Sequence, residues 1–377
     1  MRYSFKPWLL LLGAALVGCS ADSTISPYNV ITPSLQQDAM WPQTPTVFAT
    51  GFLYPRGLAF GPDGALYVAE AGAAGTGTTD STQCMQVPAP IGPYSNGPSA
   101  RISRVDRRGN RMTFADGFPS AVNSVGDVMG VAAVAFVGKD LYALVAGGGC
   151  SHGVSDTPAG IARVGRGSWS MVADLSAWLA ANPVAQPDPG DFEPDGAWYS
   201  MIPSAGHLVV VEPNHGEIDD VDPRTGDVHR ILDVSASYGH IVPTAVAQRA
   251  GSLYFSNLGI FPGVQDSQNI YRLSASGVPS IVASGFTMVV GVDFDRAGRM
   301  YVLETSTVSG FPLPGTGRVT RIDRRGGRVI VVDGLTLPTA IAFGPDHQLY
   351  ISNMGFGPPL PGEVLRVAIP DAEAGED

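Results

Sequence analysis

One phrase returns six times along this chain, and six copies of one strand-turn-strand unit leave a chain few ways to fold. At its clearest the phrase reads Leu58-Ala59-Phe60-Gly61-Pro62-Asp63-Gly64-Ala65-Leu66-Tyr67-Val68-Ala69-Glu70, and at its last occurrence it runs from Ile341 to Asn353. Between these lie Val246 to Asn257, Val292 to Glu304, a shortened copy from Val134 to Val145, and a degenerate one ending at Leu208-Val209-Val210-Val211-Glu212. Each is a short apolar strand, a tight turn carrying Gly or Asp, and a second strand: the inner half of a β-propeller blade. A third strand and a fourth follow, and the fourth strands end alike, in Ala115-Asp116-Gly117-Phe118, Ala283-Ser284-Gly285-Phe286 and Val332-Asp333-Gly334-Leu335.

The last blade runs out after its third strand, Glu363 to Ile369, while Thr46 to Phe52 carries the fourth-strand pattern ahead of the first inner strand. The expected fold is therefore all-β: a six-bladed β-propeller of four-stranded antiparallel blades over residues 46–370, closed by an N-terminal strand so that no sheet edge stays open. Residues 371–377 form an acidic tail.

Residues 1–18 read as a lipoprotein signal peptide, with Arg2 and Lys6 ahead of an apolar run from Trp8 to Val17 and a lipobox Leu16-Val17-Gly18-Cys19. Cys19 is the expected lipidation site, and residues 19–45 a polar tether without periodicity. Ser20 after it fits outer-membrane lipoproteins, which puts the protein in the periplasm or at the cell surface, bound to the membrane by its lipid alone. A net charge of −11 leaves no basic stripe to displace counterions, so nucleic acid is excluded as a partner. The two other cysteines, Cys84 and Cys150, sit in loops of adjacent blades and are expected to form a disulfide in an oxidising compartment. Two separate thiols, or a Cys150-His152 metal pair, are the alternatives.

Long excursions all lie between second and third strands, such as Gly72 to Ala100, Leu258 to Gln268 and Thr305 to Gly317, so one face of the ring is built for something. Three sets of residues fall there. The second strands end in Glu70, Glu212, Asn257, Glu304 and Asn353, either a polar ring for a cation or ligand or caps of their own turns. His152, His215 and His240 beside Glu212 would suit a zinc-like site or a general base with its orienting partner, or are solvated loop histidines. Phe261, Phe311 and Phe356 lie in similar Gly/Pro loops and either form an apolar rim or hold the loops down. Six-bladed gluconolactonase-like hydrolases hold calcium with acidic and amide side chains at inner-strand starts; the matching positions here are Arg56, Thr244, Val290 and Thr339, with Asp195 the lone candidate ligand, so calcium of that type is not expected. Arg56 is placed with the ligand face, and the cofactor, if any, is left open.

The segments Pro55 to Gly72, Val211 to Glu217, Gly239 to Thr244 and Pro338 to Pro345 resemble the ScyD/ScyE family of exported propellers related to NHL-repeat proteins, over residues 46 to 369. That resemblance implies a six-bladed propeller outside the cytoplasm and carries no catalytic residues with it. The leading expectation is a monomeric, non-catalytic binding or scaffolding propeller presenting its long-loop face to a small apolar molecule or an exported protein. The alternative is a lactonase-, esterase- or secondary-metabolite-type enzyme using His215, His240 and Glu212.

Overall fold

The computed structural model describes residues 41–370 except 275, 324 and 358–360, so Cys19, the signal peptide, most of the tether and the acidic tail lie outside the described residues. The chain forms a six-bladed propeller of antiparallel sheets, five of them four-stranded. Blade 1 (Pro55–Phe60, Leu66–Glu70, Ser95–Val105, Arg111–Val122) gains two short strands, Gly77–Thr78 and Val128–Met129. Part of its long excursion is thus sheet, where the sequence reads as loop. Blade 6 is closed by Thr46–Phe52 pairing with Gly362–Val367, with Thr46 opposite Arg366.

The repeated phrase has a local cause. In its tight turn Asp63 accepts the N–H of Ala65, and its other oxygen takes Tyr67 Oη at 3.4 Å. The Tyr350 hydroxyl donates to Asp346 at 2.9 Å and the Tyr301 hydroxyl to Asp295 at 3.2 Å. The tyrosine of the second strand thereby locks the turn that precedes it. The fourth-strand endings are explained by β-bulges: Gly51, Gly117, Gly285 and Gly334 all have φ between 73° and 85°, where a side chain is strained. The ladder slips around each, as between Gln268 opposite Phe286 and Asn269 opposite Ser284, and the next residue (Phe52, Phe118, Phe286 or Leu335) turns inward and is buried.

Six apolar clusters make up the core, one at each seam between blades. Tyr67, Ile102 and Phe118 meet Leu141 and Val145 between blades 1 and 2, and Ala49 and Phe52 meet Leu66 and Val68 where the ring closes. Burying side chains of this size contributes roughly 1.5–3 kcal/mol each before chain entropy is set against it. Cys84 and Cys150 are joined in a disulfide between the long loops of blades 1 and 2. At a sequence separation of 66, the crosslink stabilises by about 4 kcal/mol if it acts on the unfolded chain alone.

Candidate functional site

The buried residues that end the second strands all fasten the connection leading into their blade's first strand. Glu70 accepts Leu53 N at 2.6 Å, Glu304 accepts Thr287 N at 2.7 Å, and Asn353 accepts Thr336 N at 3.0 Å. Asn257 donates to Ile241 O at 3.2 Å, and Glu212 accepts Ala197 N at 2.7 Å. Glu70 is further tied to Arg101. Glu212 also accepts the backbone N–H of Asn214 and of His215.

Those last bonds lead to the connection between blades 2 and 3, where Asp188-Pro189-Gly190-Asp191-Phe192-Glu193-Pro194-Asp195 is a hub for four blades. From blade 1, Tyr94 Oη donates to Glu193 at 2.8 Å. From blade 2, His152 Nε2 lies 3.4 Å from the other Glu193 oxygen while its Nδ1 meets the Gly148 carbonyl at 2.6 Å, and Ser151 donates to Asp195 through both N–H and Oγ. From blade 3, His215 Nε2 donates to the Glu193 carbonyl at 2.8 Å, its ring 4.9 Å from that of Phe192. From the segment entering blade 4, His240 Nε2 lies 2.9 Å from Asp191 Oδ2.

The three histidines therefore converge on one acidic loop. His152 is fully buried, His215 nearly so, and the His240 side chain is 7% exposed beside an Asp191 side chain that is 34% exposed. Burial by itself works to lower the pKa of His240, but the hydrogen bond and charge of Asp191, with Asp188 and Glu212 behind, outweigh it and leave the pKa raised. For His152 burial again opposes, and Glu193, Asp195 and the Gly148 carbonyl prevail. Burial and the Glu193 charge push the Tyr94 hydroxyl well above its usual value, so it stays a donor. In the neutral His240 ring, Nε2–H donates to Asp191 and Nδ1 carries the lone pair: a base oriented by a carboxylate.

The remaining candidates lie elsewhere. Arg56 lines the central channel, a space of about 340 Å³, and is paired with Asp127 at 2.9 Å. Tyr199 of blade 3 crosses that channel to donate to the Thr339 carbonyl of blade 6, on the opposite side of the ring. Phe261 and Phe311 stack with ring centroids 5.6 Å apart, their loops joined by paired Gly263–Gly310 backbone bonds, while Phe356 is half-buried on blade 6. Among the described residues no group of three His, Cys, Asp or Glu side chains is disposed to hold a metal, including His152, His215 and His240. At the calcium-type positions Thr244 donates its hydroxyl to Val289 O and Thr339 to Pro55 O. Sequence reasoning missed Asp191 and Glu193 as the centre of the site. The signal was present, four acids packed into eight residues at a blade junction.

No protein-family model matches the chain, and no curated protein does either. Solved structures do. A calcium-binding regucalcin from Agrobacterium tumefaciens is 15% identical with a TM-score of 0.53, covering 87% of this chain and 94% of its own. The PQQ-bound aldose sugar dehydrogenase of Streptomyces coelicolor is 14% identical with a TM-score of 0.52, over 86% and 98%. An oxidoreductase described as a glucose dehydrogenase from Thermus thermophilus is 17% identical with a TM-score of 0.50, over 86% and 100%. These likenesses show the six-bladed fold.

The expectation of a non-catalytic scaffold is corrected by these findings. Its histidines are not scattered loop residues but are gathered on one carboxylate-rich loop, where His240 is paired with Asp191, His152 with Glu193, and His215 with the Glu193 carbonyl.

Proposed function

We propose that this propeller is a small-molecule enzyme that cleaves esters or lactones by proton transfer on its long-loop face, with His240 as the base and Asp191 orienting it. The His240–Asp191 pair carries this reading: a base held by a partly exposed carboxylate, with no protein partner at Nδ1 among the described residues. Nδ1 takes a proton from water as the water oxygen bonds to the carbonyl carbon; the C–O bond to the leaving oxygen then breaks, and that oxygen recovers the proton from the imidazolium. Water is the nucleophile in this reading; the hub's Ser151 hydroxyl is hydrogen-bonded to Asp195 rather than to His240. His215, His152 and Glu212 position the hub and do not react: His215 and His152 bond the Glu193 carbonyl and carboxylate, and Glu212 accepts the backbone N–H groups of Ala197, Asn214 and His215. His240→Ala and Asp191→Asn are expected to lower kcat on aryl esters and lactones by about 10²- to 10⁴-fold with unchanged folding. Wild-type protein inert towards both classes, or His240→Ala as fast as wild type, would refute the assignment.

The ScyD/ScyE resemblance supports export, and the lipobox supports a lipid anchor at Cys19 with the propeller in the periplasm or on the surface. Cys19→Ala is expected to move the protein from the membrane to the soluble fraction without changing its melting temperature. Persistent membrane fractionation would rule the anchor out.

A further inference from the structure

We propose that the rim formed by the long loops of blades 4 and 5 is the substrate-arm subsite of this enzyme, and that the substrate is a neutral ester or lactone with an apolar acyl or aryl arm. The inference rests on the function proposed above and adds the class of molecule that the site takes.

Five large apolar side chains stand exposed on these two loops: Ile260 at 54%, Phe261 at 38%, Val264 at 62%, Phe311 at 67% and Leu313 at 51%. Single exposed hydrophobes are ordinary, but a cluster held in place by the backbone is a built surface. Here Gly263 N donates to Gly310 O at 2.7 Å and Gly310 N returns to Gly263 O at 2.9 Å, with Gln265 N to Ser309 Oγ at 3.1 Å as a further tie. These bonds set the Phe261 and Phe311 rings in a stack with planes 19° apart.

The rim is also fastened to the candidate base. Leu258 N donates to Val242 O at 2.8 Å and Gly259 N to Ile241 O at 3.2 Å, so the loop carrying Ile260 and Phe261 springs from the backbone immediately after His240. This shared backbone is what places the rim next to the base, and in the proposal a molecule whose carbonyl meets His240 lays its substituent over the rim. Its charge is constrained as well. Asp188 and Asp191 lie beside His240 in a chain of net charge −11, which disfavours an anionic substrate and favours departure of the carboxylate product. A neutral molecule with an apolar arm satisfies both halves of the site.

Binding to the full-length His240→Ala protein separates this inference from the catalytic one, because no turnover is required. Calorimetry with γ-decalactone and γ-butyrolactone should show the longer lactone binding at least about tenfold more tightly, as burial of several methylenes provides. Phe261→Ser/Phe311→Ser in the same background should erase that preference, and Leu313→Ser, outside the stack, should reduce it if the double variant fails to fold. Equal affinity for the two lactones, or a preference untouched by the rim variants, overturns the subsite whether or not the wild type hydrolyses lactones. A concentration-dependent dimer that the rim variants abolish and γ-decalactone leaves intact would assign the surface to self-association and overturn it equally. Preferential decalactone binding without turnover would leave the subsite standing and refute the catalytic reading.

Discussion

Deleting residues 40 to 52 is expected to unfold the whole ring, whereas deleting residues 20 to 38 should leave its melting curve unchanged. The first deletion removes the outer strand of blade 6, which pairs with Gly362–Val367 across the chain ends. It also removes Phe52, fully buried, and Phe48, whose ring sits 5.0 Å from that of Tyr350. Losing one large buried aromatic costs about 3–5 kcal/mol, and losing a strand's hydrogen bonds with it approaches the roughly 5–15 kcal/mol that holds a domain together. The exposed strand edge left behind would promote aggregation. Circular dichroism melts of the two truncations decide the matter: coincident curves would mean that the ring does not depend on closure.

Stability is expected to fall as pH rises from about 5 to about 8. Burial pushes Glu304 up to about 7 and Asp293 up to about 6, against the hydrogen bonds from Thr287 and Phe343 that favour their charged forms. Glu217 and Asp219 lie in the seam between blades 2 and 3, and burial raises both; both oxygens of Asp219 and one of Glu217 lack a hydrogen-bond partner. A carboxyl whose folded pKa lies above its unfolded value binds more protons when folded. Its stabilisation is complete below the unfolded pKa near about 4 and is lost as pH passes through the folded value. His152 and His240, also raised, act in the same direction at higher pH. A group displaced by about two units contributes on the order of 3 kcal/mol, so a melting temperature roughly 5–10 °C lower at pH 8 than at pH 5 is expected. Glu304→Gln and Asp219→Asn should each flatten that slope and stabilise the protein at the alkaline end. A melting temperature constant or rising over this range, or unaltered by both substitutions, would show that these acids are ionised in the folded state.

Much of the architecture was legible in the chain because the interactions that define it are local. The Asp63–Tyr67 turn, its counterpart at Asp346 and Tyr350, and the bulge glycines before Phe52, Phe118 and Phe286 each involve residues within a few positions of one another, and repetition makes them visible. Ring closure was legible for the same reason, since Thr46 to Phe52 carries the fourth-strand pattern wherever it lies. The choice between a polar ring and capping residues was not. Glu70, Glu304 and Asn353 have the same sequence neighbours either way, and only the fold shows that their oxygens hold Leu53, Thr287 and Thr336.

The candidate site belongs to tertiary structure more completely still. Tyr94 and Glu193 are 99 residues apart, His152 and Glu193 are 41 apart, and His240 and Asp191 are 49 apart, so no spacing rule joins them. The sequence alone determined the blade, its count and its closing strand, because each is written in short-range hydrogen bonds and alternating burial. Which acids meet which histidines was decided by the closing of the ring, which brings loops of four blades over one junction and sets a carboxylate within hydrogen-bond reach of an imidazole.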